Sequence, residues 1–144
     1  MQLNNDMSTF ALERIEAVVG RQRFDKLFVD GVCPFDEFEN NIEAQYRKEI
    51  PSLYAIMNDV ANLKSVPYTK FHPYDRGFPR EYEIKTRHLR VYAIEQEGGK
   101  IIVIGGTKAN QKKDQAKFRS IKEKYISFLK KTNDDNYETR RTST

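Results

Sequence analysis

A chain of 144 residues with 38% apolar and 32% charged side chains suffices for one hydrophobic core, and its nine Phe and eight Tyr argue against disorder throughout. No run of about 18 apolar residues offers a membrane span, and the first twenty residues lack the apolar stretch of a signal peptide. A single cysteine, Cys33, excludes an intramolecular disulfide and suits a reducing cytoplasm. The net charge of +4 hides an asymmetry: residues 1–63 carry 6 basic and 11 acidic side chains, residues 64–131 carry 17 and 7, and residues 132–144 carry 2 and 3. The net +10 of the middle stretch attracts phosphate polyanions, although a solvated lysine-rich surface would look the same by charge alone.

In chain order, residues 1–7 are polar and read as frayed. Ser8 or Thr9 can cap a helix whose apolar positions Phe10, Leu12, Ile15, Val18 and Val19 predict helical spacing up to Gly20. Phe24 to Val32 is aromatic and β-branched and predicts a first strand. From Pro34, the positions Phe35, Phe38, Ile42 and Tyr46, with acidic residues in the first turn, predict a helix that Pro51 interrupts; a second follows to Leu63. The two form a hairpin able to cover one sheet face. Residues 64–79 have loop composition with aromatic anchors Tyr68, Phe71, Tyr74 and Phe78 among Pro67, Pro73 and Pro79.

The chain then becomes β. Tyr82 and Ile84 alternate with Glu81, Glu83 and Lys85, and Leu89, Val91 and Ala93 alternate with His88, Arg90, Tyr92 and Ile94, as in half-buried strands. Gly98 and Gly99 predict a hairpin turn, and Ile101 to Ile104 a central strand buried on both sides. Thr107 to Asp114 reads as a polar, lysine-rich loop, Asp114 to Lys131 as a last helix, and residues 132–144 as a disordered tail. The domain division is therefore 1–23 as a helical extension, 24–131 as the domain proper and 132–144 as the tail.

Strand alternation puts His88, Arg90 and Tyr92 on the face opposite Leu89, Val91 and Ala93, where Lys85 joins them and Lys108 follows the next strand. Such cations can stabilise the crowded phosphorane formed when a ribose 2′-hydroxyl attacks its neighbouring phosphate. The available acid and base types on the segment are Tyr92, His88, Lys85 and Glu83, and spacing does not choose among them. No glycine-rich phosphate loop, hydrolase nucleophile motif or metal-ligand spacing is present.

The run Tyr82-Glu83-Ile84-Lys85, then Arg90-Val91-Tyr92, then Ile101 to Gly106 followed by Lys108, Lys112 and Lys113 resembles the C-terminal half of the RelE/ParE toxin superfamily, particularly its RelE and HigB-like or phage Gp49-like members. The resemblance spans residues 24–130 and implies an α+β, RelE-like fold: a small antiparallel sheet covered by a helical hairpin, with extra N- and C-terminal helices. It implies a type II toxin that cleaves mRNA on the ribosome without metal or cofactor, is neutralised by a cognate antitoxin and works in the cytoplasm. Carried over by residue type, Lys85, Arg90, Lys108 and Tyr92 become catalytic, and Arg80, Arg87, Lys112 and Lys113 bind RNA. This chain has Glu83 where RelE members carry a second lysine, and Phe118 near the place of their late catalytic tyrosine. A non-catalytic RNA- or ribosome-binding protein of the same fold, or a ParE-like gyrase inhibitor, are the alternatives.

Overall fold

A computed structural model describes residues 8–74 and 76–142, with side chains as far as Asp135. The expected fraying of residues 1–7 lies outside these residues, as do the last two residues of the expected tail. The chain folds as α+β, with three α-helices on a six-stranded mixed sheet. The strands are β1 (Phe10–Arg14), β2 (Arg23–Val29), β3 (Phe71–Tyr74), β4 (Glu81–Lys85), β5 (Leu89–Gln96) and β6 (Gly99–Thr107), in the order β1-β2-β6-β5-β4-β3. Neighbours are antiparallel except β2 and β6, which run parallel from Arg23 opposite Gly99 to Lys26 opposite Ile102. The sheet is thus mixed rather than wholly antiparallel, and β6 lies within it as expected.

Helices α1 (Pro34–Asn41) and α2 (Ile50–Ala61), joined through a 3-10 turn at Ala44–Glu49, cover one face. Phe35, Leu53, Met57 and Ala61 pack there against Phe24, Ile84, Val91, Ala93 and Ile102. Pro51 lies in the first turn of α2, where its missing N–H costs nothing. Cys33 belongs to this core, 3% exposed, and burial raises its thiol pKa. Helix α3 (Gln111–Thr142) covers the other face, with Phe118 and Tyr125 against Leu27, Tyr92, Ile94, Ile101 and Val103. Burial from both sides explains why β4 and β5, expected to be half-buried, are buried almost throughout.

Three expectations are corrected. The helix expected over residues 8–20 is instead strand β1, paired with β2 from Phe10 opposite Val29 to Arg14 opposite Asp25. Ladder bonds to β2 outweigh the helical spacing, and Phe10 seats on α3, 5.5 Å from the Tyr125 ring and 5.3 Å from that of Phe128. Gly20 ends no helix; a Cβ there would meet the Ala61 backbone at 2.8 Å, so only glycine allows this approach. Residues 71–74, expected as loop, form the edge strand β3, where Pro73 is tolerated because one side of an edge strand needs no donor. Finally, α3 starts at Gln111 and continues through Thr142 instead of giving way to a disordered tail at 132. No Gly or Pro interrupts residues 111–142, so each added residue gains a helical hydrogen bond without a new nucleus.

Candidate active site

The three-residue link between β4 and β5 is the centre of the site. Leaving β4, the chain turns through Thr86, Arg87 and His88, with the Thr86 N–H donating to the Leu89 carbonyl at 3.1 Å. Glu49, at the end of the 3-10 turn, reaches under this link. Its Oε1 accepts the Thr86 hydroxyl and, at 2.9 Å, the His88 backbone N–H, while Oε2 lies 2.6 Å from His88 Nδ1. Burial alone would raise the Glu49 pKa; the hydrogen bonds from Thr86 and His88 and the His88 charge outweigh it and hold the carboxyl below its ordinary value. Tyr46, one turn earlier, stacks on the His88 ring at 4.9 Å and 27°.

The carboxylate therefore orients an imidazole that is still open to solvent: the His88 side chain is 41% exposed, that of Glu49 11%. With Nδ1–H directed to Glu49, the lone pair of the neutral ring falls on Nε2. Cationic residues adjoin the pair along the backbone. Lys85 and Arg87 line a cleft of about 360 Å³ with Lys70, between α2 and the start of β3. On the other side the Lys108 N–H donates to the His88 carbonyl at 2.8 Å, and exposed Lys108, Lys112 and Lys113 continue from the end of β6 into α3.

The remaining candidates lie elsewhere. Arg90 and Tyr92 point to the face predicted for them, but α3 covers that face. Arg90 is 8% exposed. Its Nη1 donates to the Thr86 and Leu89 carbonyls at 2.7 and 2.8 Å, and its Nε stands 3.9 Å from Glu83 without a hydrogen bond. Arg90 thus stiffens the link that carries His88 rather than facing a ligand. Tyr92 is 0% exposed, stacks on Phe118 at 5.5 Å, and its hydroxyl meets no hydrogen-bond partner among the described residues. Burial first, and then the Glu83 charge, push its phenol pKa far up, so the catalytic role expected of Tyr92 does not fit its place in the core. Arg80 is exposed at the far end of β4, its guanidinium 6.0 Å from the Tyr82 ring centre.

Glu83, a possible acid or base by type, is 2% exposed and accepts from the Tyr74 hydroxyl at 2.7 Å and from Gln111 at 2.8 Å. Glu81 beside it holds Arg119 at 3.2 Å and Lys122 at 3.0 Å. These carboxylates tie α3 to the sheet. Sequence reasoning passed over Glu49, Tyr46 and Lys70. Glu49 lies 39 residues from His88, and no local spacing joins them.

Compared with protein-family models, with curated proteins and with solved structures, the chain matches none.

Proposed function

We propose that this chain is an RNA endonuclease of RelE-like type, the toxin of a type II toxin–antitoxin pair acting on ribosome-bound mRNA. The observation that carries the reading is the solvent-facing His88 held by Glu49 among Lys85, Arg87 and Lys108. His88 Nε2 takes the proton of a ribose 2′-hydroxyl, whose oxygen bonds to the adjacent phosphorus. The bond to the 5′-oxygen then breaks, that oxygen leaves with a proton from solvent, and the products are a 2′,3′-cyclic phosphate and a 5′-hydroxyl. Lys85, Arg87 and Lys108 stabilise the charge on the phosphorane. The order β2, α1, α2, then β4-β5-β6, is the order that the RelE-like resemblance implies and supports the same reading. An antitoxin would have to shield the cations and the imidazole.

A second reading, an RNA- or ribosome-binding protein that does not cut, is favoured by the burial of Arg90 and Tyr92. Incubating the protein with single-stranded RNA, alone and in translating ribosomes, separates the two. Cleavage that His88→Ala lowers by about 10²–10⁴ supports the endonuclease. Binding without cleavage supports the second reading, and cleavage unchanged by His88→Ala removes the proposed base.

A further inference from the structure

We propose that the β3 edge of the sheet, formed by residues 68–74 and 76–80, is a binding track for single-stranded RNA that ends at the His88–Glu49 pair. Its use as a substrate track rests on the endonuclease reading; RNA binding by the edge does not.

Among the described residues β3 pairs with β4 alone, which leaves its outer side open. Along it lies an aromatic strip: Tyr68 meets His72 edge-on at 4.3 Å, His72 meets Tyr74 at 4.8 Å, and Phe78 follows on the next loop. Tyr68 is 63% and Phe78 88% exposed. One exposed aromatic is ordinary, but two at the ends of this edge, with the half-buried His72 and Tyr74 between them, call for a partner. Lys70, Arg76 and Arg80 are interspersed with these rings, all exposed, and none of the three forms an ion pair with a carboxylate among the described residues. Cations set between the open rings of Tyr68 and Phe78 suit a chain that alternates phosphates and unpaired bases. A partner strand adding to the sheet is disfavoured, because Pro73 in the edge removes a backbone donor.

The track leads to the site. The Lys85 N–H donates to the Lys70 carbonyl at 2.8 Å, and Lys70 and Lys85 share the cleft that Thr86 and Arg87 also line. At the other end Tyr74 pairs with Glu81, next to Arg80. The five residues of β4 between these ends span roughly 17 Å at about 3.3 Å each, or about five nucleotides of a stacked strand at about 3.4 Å. An oligonucleotide must exceed that length to reach both Phe78 and His88.

The chain contains no tryptophan, so Phe78→Trp places a single tryptophan, excited apart from the tyrosines at the long-wavelength edge of absorption, at the far end of the track. Titration with an unstructured 12-nucleotide RNA is expected to quench it saturably, while a trinucleotide, a duplex of equal length and anionic phospholipid vesicles do so weakly. Phe78→Ala is expected to weaken binding of the 12-nucleotide RNA about tenfold and leave trinucleotide binding unchanged. Absence of quenching with the 12-nucleotide RNA overturns the track, as does equal quenching by duplex or vesicles. If wild-type protein still cuts RNA in that case, the endonuclease reading survives alone; quenching without cleavage leaves the track as a binding site and rejects the nuclease.

Discussion

Replacing Glu49 by Gln tests the centre of the site through stability as well as activity. Three donors converge on the carboxylate: the Thr86 hydroxyl, the His88 backbone N–H and, on the other oxygen, the His88 ring. A glutamine oxygen can keep the first two as neutral bonds, but its NH₂ then faces Nδ1 and drives the ring to carry its proton on Nε2. Hydrogen bonds to a charged group contribute about 1.5–3 kcal/mol and neutral ones about 1 kcal/mol. Discounting the bond to the solvent-exposed ring, the expected loss is about 2 kcal/mol at pH 7, a fall in Tm of about 6 °C. The Glu49 pKa is lowered by folding, so its stabilisation is complete above the ordinary glutamate value of about 4.3 and is lost as pH falls through the lower folded value. Urea unfolding of both proteins should show the gap near pH 7 and its closure in acid, where protonated Glu49 resembles Gln. On the proposed mechanism, kcat for RNA also falls at least tenfold with KM unchanged, because Nε2 no longer offers a lone pair. A stability gap that persists unchanged in acid would refute the role given to the carboxylate charge.

Glu81→Ala leaves Arg119 and Lys122 without their carboxylate beneath α3 and is expected to cost about 3–5 kcal/mol in urea unfolding, far more than an exposed ion pair would. Tyr92→Phe removes a buried hydroxyl that meets no hydrogen-bond partner among the described residues; stability should change by less than about 1 kcal/mol or rise, and RNA cleavage should be unaltered, whereas a large loss of activity would return Tyr92 to the mechanism. Gly99→Ala would set a Cβ 1.7 Å from the Arg23 carbonyl oxygen, so the β2–β6 pairing must open; a loss of at least about 4 kcal/mol is expected by thermal unfolding, and a Tm equal to wild type would contradict the register.

The two-residue alternation of Glu81 to Ile94, the aliphatic run Ile101 to Ile104 and the apolar spacing of residues 35–60 and 118–129 were legible in the sequence because each reflects a local period. The places of Lys85, Arg87 and Lys108 at or just beyond strand ends were legible for the same reason. Local period could not tell that Phe10–Arg14 would leave its helical spacing for an edge beside β2, since ladder bonds from a distant strand decide that. Nor could it show that α3 closes over the face bearing Arg90 and Tyr92 and buries both. The His88–Glu49 pair belongs to the tertiary structure entirely: a carboxylate and an imidazole 39 residues apart meet only because α2 and its preceding turn pack beneath the sheet. Local periods mark which segments can carry charge and core, and packing selects which of those charges stay open to solvent, because covering a sheet face removes water from the side chains on it.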